Sequence, residues 1–114
     1  MQETDSARRG GRHVLYKRWL LRPGVAPEQV AQFVAERTVP AYRRLSPDVE
    51  LGLEVVADRT AVLAIQRWRD RSALDLALEA PTYSSWWADY QPILTTWHEM
   101  VDFDDDWETT ELTV

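Results

Sequence analysis

The residues best suited to chemistry are aromatic, and they crowd the second half of the chain. Trp68 ends an apolar run, and Tyr83, Trp86, Trp87 and Tyr90 follow it. Indole and phenol rings offer wide, flat contact surfaces, and tyrosine hydroxyls orient a bound molecule through hydrogen bonds. The cluster predicts a cavity that binds an aromatic small molecule. The alternative is that these large rings only fill the core of a small domain.

Two polar side chains are candidates for acting on such a molecule. Histidine is the side chain best suited to exchange protons near neutral pH, so His98 could accept a proton as a general base. The alternative for His98 is a surface position beside Glu99. Gln66 interrupts an apolar strand face, and its amide could hold a substrate oxygen or bond within the protein. We therefore take His98 as the candidate catalytic residue and Gln66 as a candidate substrate-binding residue.

The sequence predicts no metal site. Asp102, Asp104 and Asp106 match the opening of a calcium-binding loop, but Trp107 stands where its sharp turn needs glycine, and Thr113 where it needs a bidentate glutamate. The chain has no cysteine, which excludes thiolate ligands and disulfides. It also lacks a phosphate-binding loop, a nucleophile elbow and a dinucleotide fingerprint.

Composition limits the possible partners. A chain of 114 residues suits one compact domain, and its net charge of −6 disfavours binding to nucleic-acid phosphates. No apolar run approaches the roughly 20 residues that span a bilayer, and the N-terminus lacks a secretory apolar centre. We expect a cytoplasmic protein that binds neither nucleic acid nor membrane, with a disordered polar tail over residues 1–12 and a single domain over residues 13–114.

Strands and helices alternate along the first half of that domain. His13–Leu21 is rich in β-branched and aromatic residues and is predicted to be a strand that ends at a Pro-Gly turn. A helix follows from Pro27 to about Leu45, with a kink or break expected at Pro40, which cannot donate a backbone hydrogen bond. Residues 49–56 alternate apolar and polar side chains, which is typical of a half-buried strand.

The second half completes the pattern. A loop over 57–60 leads to a return strand, Ala61–Trp68, which places Val49 opposite Trp68. A helix with a capping box at Ser72 follows, Pro81 interrupts it, and a second helical piece carries the aromatic residues. Residues 102–108 are predicted to form an acidic loop and residues 109–114 the last strand. The order β-α-β-β-α-β predicts an α+β, ferredoxin-like fold with a four-stranded antiparallel sheet.

Three features together resemble the antibiotic biosynthesis monooxygenase family. They are the strand that ends in RPG at 22–24, the amphipathic helix after it, and the strand-to-helix junction WRDRSA at 68–73. The similarity spans roughly residues 13–114. It implies a homodimer whose two sheets meet face to face as a dimeric α/β barrel, with one cavity per subunit between sheet and helices.

The resemblance also implies a range of activities. Members include cofactor-free oxygenases of phenolic polyketides and quinols, heme-degrading enzymes, polyketide cyclases and proteins without known activity. Heme-degrading members use a tryptophan and a histidine on the helix after the junction and an asparagine on the first strand. The matching helix region here has no histidine, and His13–Leu21 has no asparagine. Heme degradation is therefore disfavoured.

The function predicted from the sequence is a cofactor-independent monooxygenase, using no metal, flavin or heme, that acts on an aromatic, polyketide-like or quinol molecule. Two alternatives stay open: a polyketide cyclase or aromatase on the same scaffold, and a non-catalytic dimer that binds a small molecule. The predicted substrate-binding residues are Gln66, Trp68, Tyr83, Trp86, Trp87 and Tyr90.

Overall fold

The computed structural model describes residues 11–114, which form one antiparallel sheet covered by helices. The strands are β1 His13–Leu21, β2 Val49–Val55, β3 Ala61–Trp68 and β4 Val101–Thr110. The helices are α1 Pro27–Phe33, α2 Val39–Leu45, α3 Arg71–Glu79 and α4 Tyr83–Met100, with a π-helical segment, Val34–Thr38, between α1 and α2. The sheet order is β2-β3-β1-β4, so the ferredoxin-like α+β fold predicted from the sequence is confirmed.

The pairing of β2 with β3 follows the predicted register. Val49 lies opposite Trp68, and the hairpin closes with a 3.0 Å hydrogen bond from the Val56 N–H to the Ala61 carbonyl. Alternation along these strands sends one set of side chains toward the helices and the other set to the opposite face. Tyr16 and Trp19 lie on opposite faces of β1: Trp19 packs against the helices, and Tyr16 stacks on Trp107 of β4 on the other face.

The core lies between the sheet and the helices. Its main cluster joins strand and helix residues: Trp19, Val30, Val62, Trp97 and Val101. A second cluster packs Trp68 against Ala73, Leu74 and Ala77 of α3. Burial of these side chains fixes α1, α3 and α4 on one face of the sheet, and the space between them is where a ligand can enter.

The kink or break predicted at Pro40 takes the form of an interruption just before the proline, where the π-helical segment separates α1 from α2. Pro40 has no N–H to bond to the Glu36 carbonyl. Instead of ending, the helix widens before the proline: the Val39 N–H bonds to the Val34 carbonyl, five residues back. The chain therefore passes from α1 to α2 through one wide turn, a geometry that is frequent at functional sites.

The acidic loop predicted over 102–108 was also wrong, because these residues belong to β4. The last strand therefore begins at Val101 and ends at Thr110, and the predicted span 109–114 only overlaps its end. Aspartate disfavours strands, but arginines in β1 and just after its end offset this cost. Arg18 pairs with Asp104, and Arg22 Nη2 lies 3.0 Å from the Asp102 carboxylate. Charged side chains also suit β4 as an edge strand, because they discourage pairing with another chain.

The start of α3 differs by two residues from the predicted capping box. Asp70, not Ser72, caps the helix: its carboxylate accepts a 2.8 Å hydrogen bond from the Ala73 N–H. The interruption predicted at Pro81 is confirmed, since α3 ends at Glu79 and α4 begins at Tyr83.

The tail predicted over residues 1–12 lies outside the described residues up to residue 10. Arg12 is described, and its guanidinium pairs with Glu111 at 2.7 Å and with Glu50 at 3.1 Å. The Glu50 carboxylate thus binds Arg12, although Arg67 is its cross-strand neighbour. Within residues 11–114, no helix is long and apolar enough to cross a membrane.

Candidate active site

A cavity of about 160 Å³ lies between the sheet and the helical layer. Its strand side is lined by Leu15, Lys17 and Trp19 of β1, Leu51, Gly52 and Leu53 of β2, and Ala64, Ile65 and Gln66 of β3. Its helix side is lined by Val34, Thr38, Tyr42, Trp87, Tyr90, Leu94 and Trp97. Most of these side chains are apolar or aromatic, and the few polar groups converge on the same space, as in small-molecule sites.

A small residue on a central strand keeps the cavity open. Ala64 of β3 lies between Lys17 of β1 and Leu53 of β2 in the sheet register. Its methyl group leaves space that a larger side chain would occupy. The wide turn before Pro40 lies above this space, because Val34 and Thr38, the two ends of the π-helical segment, both line the cavity.

A hydrogen-bonded chain of three side chains orders one end of the cavity. The Trp68 indole N–H donates to Gln66 Oε1 at 3.0 Å, and Gln66 Nε2 donates to the Tyr42 hydroxyl oxygen at 3.2 Å. The amide of Gln66 is therefore held in one orientation. Since the Tyr42 oxygen accepts from Gln66, its own proton remains to be donated.

Both tyrosine hydroxyls at the cavity stay protonated at neutral pH. Burial raises the pKa of Tyr42 far above its ordinary value, with smaller contributions from Tyr90 and Tyr83. Burial also raises the pKa of Tyr90, against an opposing hydrogen bond with Thr38. These groups can donate hydrogen bonds to a ligand oxygen, but they are poor bases.

Three of the predicted binding residues line the cavity: Gln66, Trp87 and Tyr90. Tyr90 is buried, whereas Trp87 is 43% exposed, so the indole of Trp87 lies where the cavity meets solvent.

The other three predicted binding residues lie behind the lining. Trp68 is buried and packs against α3, with its indole bonded to Gln66. The Trp86 indole donates to the Ala41 carbonyl at 2.7 Å, and Tyr83 stacks on Trp86 at 5.8 Å between ring centroids. Their binding roles stay predictions, and in this arrangement they support lining residues.

His98 is exposed on α4 and is not among the residues that line the cavity. Its ring lies 5.6 Å from the ring of Trp19, which does line the cavity. Its role as a base stays a prediction. Among the described lining residues there is no histidine, aspartate or glutamate.

The cavity includes functional candidates that the sequence patterns did not single out: Lys17, Thr38 and Tyr42. The sequence does indicate Lys17, because this lysine interrupts an apolar strand face between Leu15 and Trp19. The sequence signal for Tyr42 is weaker: it is an aromatic residue within the helix predicted from Pro27 to about Leu45. Within residues 11–114, no three acidic or histidine side chains are grouped to hold a metal ion.

No protein-family model matches this sequence, and no curated protein matches it. Solved structures do. SnoaB, a cofactor-independent oxygenase from Streptomyces nogalater, is 19% identical with a TM-score of 0.61, over 91% of this chain and 96% of SnoaB. A proposed antibiotic biosynthesis monooxygenase from Bordetella bronchiseptica is 16% identical with a TM-score of 0.61, over 91% of this chain and 98% of that protein. Another from Chloroflexus aurantiacus J-10-fl is 14% identical with a TM-score of 0.56, over 90% and 95%.

What these proteins share with this chain is the fold. The alignment covers nearly the whole of each of these proteins, so the likeness extends to the complete ferredoxin-like unit. Because one fold supports several unrelated activities, the reaction has to be argued from the cavity itself.

Proposed function

We propose that this protein is a cofactor-independent monooxygenase that acts on an aromatic, polyketide-like or quinol small molecule as a homodimer. The observation that carries the proposal is the aromatic cavity with oriented hydrogen-bond donors at Tyr42 and Gln66. The likeness in fold to SnoaB, itself a cofactor-independent oxygenase, supports the same class of reaction.

The proposed chemistry asks little of the protein beyond binding and shielding. An activated ring carbon loses a proton, and the resulting carbanion or enolate supplies electrons to dioxygen. Conversion of a ring CH₂ to a carbonyl uses one O₂: one oxygen atom stays on the ring and the other leaves as water. The donors at Tyr42 and Gln66 would stabilise negative charge that develops on the substrate oxygen, as in an oxyanion hole.

The cavity limits the size of the part of the substrate that it encloses. Its volume of about 160 Å³ is close to that of the engineered, benzene-binding cavity of about 150 Å³ known from another protein. We infer that one or two rings are enclosed. A larger polycyclic molecule would extend past Trp87 into solvent.

One observation favours a second candidate, a non-catalytic binding dimer. The described lining has no carboxylate or imidazole that could take a proton from a weakly acidic carbon. A monooxygenase with this lining needs a substrate that is already acidic, whereas a binding protein needs no base.

Oxygen consumption separates the candidates. A panel of naphthols, naphthoquinols and anthrones would be incubated with the protein in an oxygen electrode under ¹⁸O₂, with products analysed by mass spectrometry. Saturable oxygen uptake with one ¹⁸O atom in the product would support the monooxygenase. A cyclised product without ¹⁸O would indicate the cyclase, and binding without turnover of any compound would indicate the binding dimer.

A substitution in the cavity lining tests whether any activity arises in the cavity. Trp87→Ala removes an exposed lining ring, so we expect KM to rise at least fivefold with little loss of stability. Leu78→Ala, an equally exposed apolar truncation on α3, is the matched control and should leave KM unchanged.

A further inference from the structure

A charged side chain occupies a core-facing position on a central strand. In the sheet order, β1 lies between β3 and β4, and the helix-facing side of β1 reads Leu15, Lys17, Trp19. Lysine is rarely placed among core-facing apolar residues, because burying its ammonium group costs free energy unless a partner compensates. Lys17 avoids this cost because it is exposed, and it also lines the cavity.

No described carboxylate forms an ion pair with Lys17. The ion pairs among residues 11–114 involve arginines and His13, but not this lysine. Asp106 is its cross-strand neighbour on β4, yet the Asp106 carboxylate does not come within 4.0 Å of the ammonium group. The positive charge is thus available to a molecule in the cavity.

Among the described residues that line the cavity, Lys17 is the only cation. Strand β3 contributes neutral Ala64 and Gln66, and β2 contributes Leu51 and Leu53. The helical layer contributes two titratable groups, Tyr42 and Tyr90, and burial keeps both protonated. On β4, Asp106 lies directly opposite Lys17, and Glu108 and Asp105 lie opposite Leu15 and Arg18. The Glu108 carboxylate lies 2.7 Å from His13 Nε2.

From this placement we propose that the cavity selects the anionic form of its ligand, an aromatic ring bearing an ionised oxygen, through the Lys17 ammonium group. The proposal rests on the proposed function for the cavity and adds to it the class of substrate: a phenolate or enolate of one or two rings. An opposite charge within about 4–6 Å stabilises the ionised form of an acid, and a charge-assisted hydrogen bond strengthens the contact.

The proposal also accounts for the missing base. A substrate that binds as its anion arrives already deprotonated, so the lining needs no carboxylate or imidazole. Lys17 is a binding residue in this scheme, and the bound anion is the electron donor.

The test uses a nitrophenol that titrates near neutral pH and whose phenolate absorbs visible light, with the full-length protein. The pH at which the bound phenol ionises would be read from the absorbance of the saturated complex. We expect the bound phenol to ionise at least one pH unit below the free phenol, which means at least tenfold tighter binding of the anion. The titration is run without dioxygen, so the result is independent of turnover.

Three variants locate the effect. Lys17→Met keeps the length of the side chain without charge and should shift ionisation of the bound phenol above that of the free phenol. Lys17→Arg should restore the downward shift. Asp106→Asn removes the neighbouring anion and should preserve or enlarge the shift.

Different results would refute the role of Lys17, the cavity assignment and the monooxygenase function. Equal ionisation in the wild type and Lys17→Met, or no downward shift in the wild type, would overturn the role of Lys17. Failure of the phenol to bind in either charge state would overturn both the inference and the cavity assignment. A downward shift that depends on Lys17, with no oxygen uptake from any substrate, would uphold the inference and refute the monooxygenase.

Discussion

At the scale of single residues, Tyr42 connects the cavity to the stability of the protein. Its pKa is raised by burial, whereas in the unfolded chain a tyrosine titrates at about 10. Above that pH the unfolded chain loses its proton first, so the free energy of unfolding falls as pH rises. Below that pH the contribution of the buried phenol is fully present.

This linkage is measurable with Tyr42→Phe. We expect the wild type to lose stability between pH 9 and 11 in urea unfolding, and the variant to lose less over the same interval, whatever its stability at pH 7. Parallel losses in the two proteins would show that the Tyr42 hydroxyl is not protected from ionisation.

The predicted role of His98 as a base can be tested with a single substitution. Its imidazole is exposed and lies outside the cavity lining, so we expect His98→Gln to retain oxygen uptake within about twofold of wild type. A fall of tenfold or more, with unchanged dimer mass, would instead support the base role that the sequence predicts for this residue.

At the scale of elements, the start of α3 depends on one carboxylate. Asp70 accepts the hydrogen bond from the Ala73 N–H, and loss of such a cap costs about 1 kcal/mol. We expect Asp70→Ala to lower the free energy of unfolding by about that amount. Ser72→Ala is the control, because Ser72 is exposed and does not cap the helix; an equal loss there would place the cap at Ser72.

The elements also show what sequence patterns can and cannot predict. The order β-α-β-β-α-β and the β2–β3 register followed from alternation, because a hairpin with a short loop leaves few ways to pair Val49 with Trp68. β4 did not, because its aspartates disfavour a strand and are stabilised by Arg18 and Arg22, which are distant in sequence. The wide turn at Val34–Thr38 was missed for a similar reason. Local rules predict a kink or break at Pro40, but not that a wide helical turn would connect the two helices.

Part of the candidate site could also be predicted from local patterns along single helices and strands. Spacing placed Trp87 and Tyr90 on one helix stripe, and alternation placed Gln66 on an apolar face. Spacing and alternation could not predict that Trp68 and Trp86 would donate hydrogen bonds from their indole N–H groups within the protein, to Gln66 and to the Ala41 carbonyl. These partners are set by tertiary packing, which no single helix or strand pattern specifies.

At the scale of the whole molecule, the sheet face turned away from the helices bears apolar groups that suit a second copy of the chain. Tyr16 and Trp107 stack there with ring centroids 5.4 Å apart, and Trp107 is 39% exposed. Burying this aromatic pair against its symmetry mate would remove apolar surface from water. We therefore propose that this face is the dimer interface.

Light scattering tests this interface directly. We expect the wild type to have the mass of a dimer at micromolar concentration and Trp107→Glu to have the mass of a monomer. Leu76→Glu places the same charge at an exposed apolar position on α3 and should remain dimeric. A dimeric Trp107→Glu would move the interface elsewhere.

The proposed function requires that the space above Ala64 binds an aromatic ligand. The most direct measurement is a tryptophan-fluorescence titration with 1-hydroxy-2-naphthoate, because Trp19, Trp87 and Trp97 line that space. Ala64→Leu fills the cavity, whereas Ala88→Leu makes the same change at an exposed position of α4. We predict saturable quenching in the wild type and Ala88→Leu, and affinity at least tenfold weaker in Ala64→Leu. Equal affinity in all three proteins, or no quenching in any, would contradict the claim.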